Sequence, residues 1–77
     1  MTFEQLLDLL SDLHPDIDFE TAEGLIDRKV LTSFDVVSIA AELSETYGVE
    51  LRAVDIVPAN FNSARALFAL IQKREDE

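Results

Sequence analysis

The sequence predicts an all-α bundle of three main helices plus one short helix, with a long loop between helices one and two. Apolar residues recur at spacings of three and four in three separate stretches. Proline and glycine separate these stretches, and no pair of strands is indicated. With 77 residues, the chain is expected to form a single domain over 1–77.

The first helix is predicted to begin after Thr2, which is placed to cap it, with Gln5 completing a capping box. Its end is set by His14, because a residue before proline is disfavoured in the α region. Residues 15–31 then show no long period, and we expect at most a short helical turn over 21–25. Apolar side chains are expected to pin this loop onto the helices: Ile17, Phe19, Leu25, Ile26, Val30 and Leu31.

The second helix is predicted from Ser33 to Tyr47, with Gly48 as its stop and Thr32 as N-cap. After a connection that includes Pro58, a last helix is expected from a cap at Asn62 or Ser63 to about residue 74. The predicted inner stripes of these two helices are Val36, Ile39, Ala40, Leu43 and Tyr47, and then Ala64, Leu67, Phe68 and Ile71.

The net charge of −10 argues against nucleic acid and against anionic membrane surfaces, and it favours partners with basic patches. No apolar run approaches the roughly 20 residues of a membrane span, and the first residues lack a cationic leader. We therefore expect a cytoplasmic monomer. The chain has no cysteine, which excludes disulfides and zinc–thiolate sites.

The sequence does not support a catalytic triad or a calcium-binding loop. A catalytic triad of Ser33, His14 and a carboxylate needs geometry that a sequence does not supply, so no catalytic residue is assigned. Four acidic residues fit a calcium-loop register, but Thr21 replaces the turn glycine and the last position is aspartate rather than glutamate. No metal site is therefore assigned to Asp16, Asp18, Glu20 and Asp27.

Ser33 lies in the first turn of the second helix, where a serine is commonly just an N-cap. The alternative is covalent attachment of a phosphate-containing group. A phosphodiester at this position would face unpaired N–H groups and the positive end of the helix dipole.

Two segments carry a family resemblance. LIDRKVLTSFDVVSIAAELSETYGVEL resembles the central segment of acyl carrier proteins, and DIVPANFNSARALFALI is similar to the stretch that follows it. The resemblance spans roughly residues 3–74. It implies that Ser33 carries 4′-phosphopantetheine, attached by a phosphopantetheinyl transferase, whose thiol holds an acyl group as a thioester.

The resemblance also implies an acyl- or aminoacyl-loading ligase and downstream acyl-transfer enzymes as partners. Thr32 stands where the family usually has aspartate, which removes a charge that the transferase commonly recognises. Phe34 replaces the usual leucine and is similar to D-alanyl carrier proteins. A D-alanyl or aminoacyl carrier is therefore one alternative, and an unmodified acidic interaction module is another.

The outer side of the second helix is predicted to be a docking surface. Phe34, Val37 and Ala41 fall away from the core stripe, with carboxylates around them. The alternative is that the long loop folds back over Phe34. The expected docking residues are Phe34, Asp35, Val37, Ala41, Glu42 and Glu45.

Overall fold

The computed structural model describes residues 1–76 and contains four α-helices with one 3-10 turn. The prediction of an all-α chain with three main helices and a short one is confirmed for these residues. The elements are α1 (Phe3–Leu13), α2 (Ser33–Tyr47), the 3-10 turn (Ala53–Asp55), α3 (Pro58–Phe61) and α4 (Ala64–Glu75).

The helix ends follow the local signals in the sequence. Thr2 and Gln5 form both arms of the predicted capping box on α1. Gly48 adopts the left-handed conformation that ends α2, with φ of 67°. Of the two predicted caps of α4, Ser63 is the one used, and its side chain accepts the N–H of Ala66.

The core lies where α1 packs against both α2 and α4, with α3 packed on α4. Because α1 faces two helices, its buried face is wider than a single stripe and includes Leu9. Ala40, Tyr47 and Phe68 are only half-buried, so the predicted stripes are too broad at those positions. The buried apolar residues of the three main helices are Leu6, Leu9, Leu10, Val36, Ile39, Leu43, Ala64, Leu67, Leu70 and Ile71.

Residues 14–32 form the long predicted loop and contain no helix. The expected helical turn over 21–25 is wrong, because Gly24 takes a positive φ of 63° and interrupts the chain there. Hydrogen-bonded turns form on either side of it instead, over 19–21 and 25–29. Phe19, Leu25 and Leu31 are buried, so the loop is anchored by its apolar side chains as expected.

Asn62 fastens this loop to the junction between α3 and α4. Its side-chain Oδ1 accepts the N–H groups of Ile26 (2.9 Å) and Asp27 (3.1 Å). Its Nδ2 donates to the Asp27 carboxylate at 3.2 Å, and its carbonyl accepts the N–H of Leu25 at 2.9 Å. One asparagine therefore satisfies several backbone groups that no regular element serves.

Asp55 links the 3-10 turn to the last turn of α4. Its side chain is almost covered, and Arg74 donates to both carboxylate oxygens, from Nε at 2.9 Å and from Nη2 at 2.8 Å. The N–H of Arg52 donates to the same carboxylate at 2.8 Å. These bonds, those of Arg74 first, lower the pKa of Asp55 below its ordinary value.

We expect Asn62→Ala to lower the free energy of unfolding by about 2 kcal/mol, because the N–H groups of Ile26, which is partly buried, and of Asp27 lose their acceptor. Urea unfolding followed by circular dichroism measures this. The matched control is Asn60→Ala, which removes one bond, from Asn60 Nδ2 to the Asp55 carbonyl, and should cost about half as much. Equal costs for the two variants would contradict the anchoring role of Asn62.

The lowered pKa of Asp55 predicts a loss of stability in acid. A carboxyl whose pKa is lower in the folded state stabilises the fold above its unfolded pKa, near about 3.9. That contribution is lost as pH falls through the folded pKa. Urea unfolding from pH 7 to pH 3 should therefore show a steeper decline for the natural chain than for Asp55→Asn. Asp12→Asn, an exposed control on α1, should follow the natural chain.

Candidate functional site

The first turn of α2 is held by a capping box between Thr32 and Asp35. The hydroxyl of Thr32 accepts the N–H of Asp35 at 3.3 Å, and Asp35 Oδ2 accepts the N–H of Thr32 at 2.8 Å. Both arms of the box are present, so the prediction of Thr32 as N-cap is confirmed.

Ser33 is the first residue of α2, and its side chain is exposed. Since Thr32 supplies the cap, the Ser33 hydroxyl has no capping role and makes no hydrogen bond within residues 1–76. Nor do the N–H groups of Ser33 and Phe34 have an acceptor in that part of the chain. An anion attached to Ser33 Oγ would meet these donors and the positive end of α2.

His14 lies beside this turn, with Nε2 3.1 Å from Asp35 Oδ1. The pKa of Asp35 is lowered, first by the backbone N–H of Thr32 and then by its contacts with His14 and the Thr32 hydroxyl, against the effect of burial. No hydrogen bond joins Ser33 and His14 among the described residues. The structure thus places His14 against the carboxylate rather than against the serine.

An apolar groove of about 460 Å³ opens beside Ser33. Its floor is formed by Leu31, Val36 and Phe61, which are buried. The loop before α2 forms one side, and the segment that leads into α3 forms the other. The remaining lining residues are Ile26, Lys29, Thr32, Ser33, Val37, Ile56, Val57 and Pro58.

Lys29 is the charged member of this lining. Its backbone has a φ of 60°, a left-handed conformation that a side chain makes unfavourable by about 1–2 kcal/mol. The turn that places it there is closed by its N–H, which donates to the Ile26 carbonyl at 3.0 Å. A strained residue at the edge of a groove is a feature that commonly marks functional sites.

The outer side of α2 carries the predicted apolar strip. Phe34 is 78% exposed and Val37 is 65% exposed, so the alternative that the loop covers Phe34 is wrong. Ala41, Glu42 and Glu45 are exposed as well. Asp35 differs, since its carboxylate is largely covered and bonded within the chain.

The acidic loop uses its carboxylates internally. Asp18 accepts the N–H of Glu20 and the hydroxyl of Thr21, and Asp27 accepts from Asn62. Within residues 1–76, no group of three or more histidine, cysteine, aspartate or glutamate residues is arranged to hold a metal ion.

Sequence reasoning missed the far wall of the groove. Ile56 and Val57 line it, and both remain partly exposed in the structure, as does Val54 beside them. The available signal was a run of apolar residues directly before Pro58 in a stretch with no helical period. In a small domain, such a run is either buried or forms part of a binding surface.

The sequence matches no family model, and comparisons with curated proteins and with solved structures give no match. Within residues 1–76, no helix is long and apolar enough to cross a membrane.

We expect Phe34→Ala to change the free energy of unfolding by no more than about 0.5 kcal/mol, because the ring is exposed. The matched control is Phe61→Ala, which removes a buried ring and should cost about 3–5 kcal/mol. Urea unfolding of both variants tests this. A large cost at Phe34 would assign its ring to the core and remove it from the docking surface.

Proposed function

We propose that this chain is a carrier protein that holds an acyl group as a thioester on 4′-phosphopantetheine attached to Ser33. The observation that carries the proposal is the position of Ser33: it is exposed, not used as a cap, and placed beside an apolar groove. Three main helices with a long first loop and a short third helix also match the architecture that the family resemblance implies.

The residues around Ser33 fit such a group. A phosphodiester on Oγ would face the N–H groups of the first turn of α2, which suits its negative charge. The walls of the groove offer apolar surface next to the attachment point. When bound, the group supplies a thiol on a flexible arm, and the protein itself performs no chemical step.

Partner enzymes would bind the outer side of α2. An apolar strip that starts at Phe34 runs beside exposed Glu42 and Glu45, so it suits a partner with an apolar contact and a basic rim. These partners would be a phosphopantetheinyl transferase, a loading ligase and acyl-transfer enzymes. The apolar lining of the groove favours an acyl group over a charged aminoacyl group as cargo.

A second candidate is an unmodified acidic interaction module. It is favoured by the exposure of Phe34 and Val37, which needs a partner but no modification. In that case Ser33 would remain a free hydroxyl.

Attachment of the group is tested by intact-mass spectrometry after incubation with coenzyme A and a phosphopantetheinyl transferase. The Ser33 oxygen would attack phosphorus and break the pyrophosphate P–O bond. Adenosine 3′,5′-bisphosphate would leave, and the serine proton would pass to a base of the transferase. We expect one added phosphopantetheine group, lost in Ser33→Ala and retained in the α2 control Ser38→Ala.

Thr32→Asp sharpens this test, since aspartate also caps helices well and restores the charge that the family usually has. We expect this variant to be modified faster than the natural chain but to be less stable, because its carboxylate would replace the Thr32 hydroxyl that donates to Asp35 Oδ2. If several transferases modify neither protein, the interaction module becomes the better explanation.

A further inference from the structure

A histidine nitrogen without a hydrogen-bond partner lies beside the first turn of α2. Nε2 of His14 is enclosed by the protein, and no acceptor or donor within residues 1–76 is aligned with it. It lies 3.1 Å from Asp35 Oδ1, so this contact has the distance of a hydrogen bond but not its direction. Buried polar atoms without partners are uncommon, and each requires an explanation.

The carboxylate that His14 contacts is the one that organises this turn. Asp35 Oδ2 accepts both the N–H (2.8 Å) and the hydroxyl (3.1 Å) of Thr32, which leaves Oδ1 facing the histidine. His14 is also the residue that ends α1. Asp35 therefore lies between the end of one helix and the N-cap of the next, in the same first turn of α2 as Ser33.

We propose that His14 is a positioning residue for Ser33: its protonated ring holds Asp35, and through Asp35 it fixes the capped first turn of α2 against the end of α1. The coupling between the two helices stands independently, whereas its effect on modification rests on the proposed function. A protonated ring donates from Nε2 to the carboxylate when the N–H points at it.

The coupling depends on pH because histidine changes charge between about pH 5 and 8. A neutral ring with its proton on Nε2 still donates to the carboxylate but without the positive charge, and a neutral ring with its proton on Nδ1 turns the Nε2 lone pair toward it, so either form holds Asp35 less strongly than the charged ring does. The contact should therefore hold best at the acidic end of this range and weaken as pH rises.

The other charged groups near His14 do not replace this contact. Asp12 and Asp16 flank the histidine in the chain, but both are exposed and are screened by solvent and salt. Of the basic side chains of α4, Arg65 covers the Phe3 ring at the opposite end of α1, and Arg74 is bonded to Asp55. Lys73 is exposed in the last turn of α4.

Amide hydrogen exchange measured by NMR tests the coupling without any partner enzyme. The probes are the N–H groups of Thr32, Asp35 and Val36, which are bonded within the cap. At pH 5.5 we expect these amides to exchange about threefold slower in the natural chain than in His14→Gln, as for a weak ion pair. The difference should shrink as the pH is raised to 7.5.

Two variants and one internal control separate positioning from general stability. His14→Lys keeps a cation at every pH in the range, so its protection should persist at pH 7.5. Adding His14→Gln to the Asp35→Asn variant should not change the exchange rates further, because the carboxylate that His14 contacts is already removed. The amide of Ala66, bonded in the separate cap of α4, should exchange alike in all variants.

The second measurement is kcat/KM for transfer of phosphopantetheine to Ser33, taken as the ratio of natural chain to His14→Gln at each pH. The ratio cancels the pH dependence of the transferase and should fall from about three toward one between pH 5.5 and 7.5. Equal exchange at every pH overturns the coupling, and a constant rate ratio overturns its role in positioning Ser33. A complete lack of modification refutes the proposed function instead, and the exchange data alone then decide the coupling.

Discussion

The structure depends on how residues 14–32 are buried without a helix or strand. Phe19, Leu25 and Leu31 enter the core from this loop, so its backbone is drawn inward with them. Backbone groups that leave water need partners, and Asn62 supplies them from the junction of α3 and α4. The loop therefore forms one side of the core, and its anchoring fixes the position of Thr32, where α2 is capped.

The opposite wall of the groove is also held in place by a polar side-chain contact. A chain of 77 residues has a small free energy of unfolding, so each buried polar contact is a significant part of it. The bidentate bond from Arg74 to Asp55 fixes the 3-10 turn directly before Ile56 and Val57. A buried ion pair of this kind is weak evidence for net stability, but its two-point contact restricts where the turn can lie. The shape of the groove beside Ser33 thus depends on an ion pair made with the last turn of α4.

The sequence predicted those features whose signals are local. A capping box joins residues only three positions apart, and the end of α2 is determined by one residue, Gly48. The sequence therefore predicts the start of α1 and the end of α2 correctly. The helical turn predicted in the long loop is wrong, because the positive φ of Gly24, which prevents a helix there, is not indicated by the sequence pattern. The contact between His14 and Asp35, the anchor at Asn62 and the groove all join distant parts of the chain, and periodicity carries no information about them.

The distribution of charge along the site has a further consequence. Lys29 retains a strained backbone where glycine would be relaxed, and its side chain lies at the groove beside Ser33. Glu42 and Glu45 lie about two and a half to three and a half turns beyond Ser33 along α2. Within the proposed function these charges serve opposite needs, because an attached phosphodiester is attracted to a cation and a basic partner to carboxylates. Because Lys29 lies in the loop before α2 and the glutamates lie farther along the helix, a partner can bind the acidic part while its reacting groups face the serine.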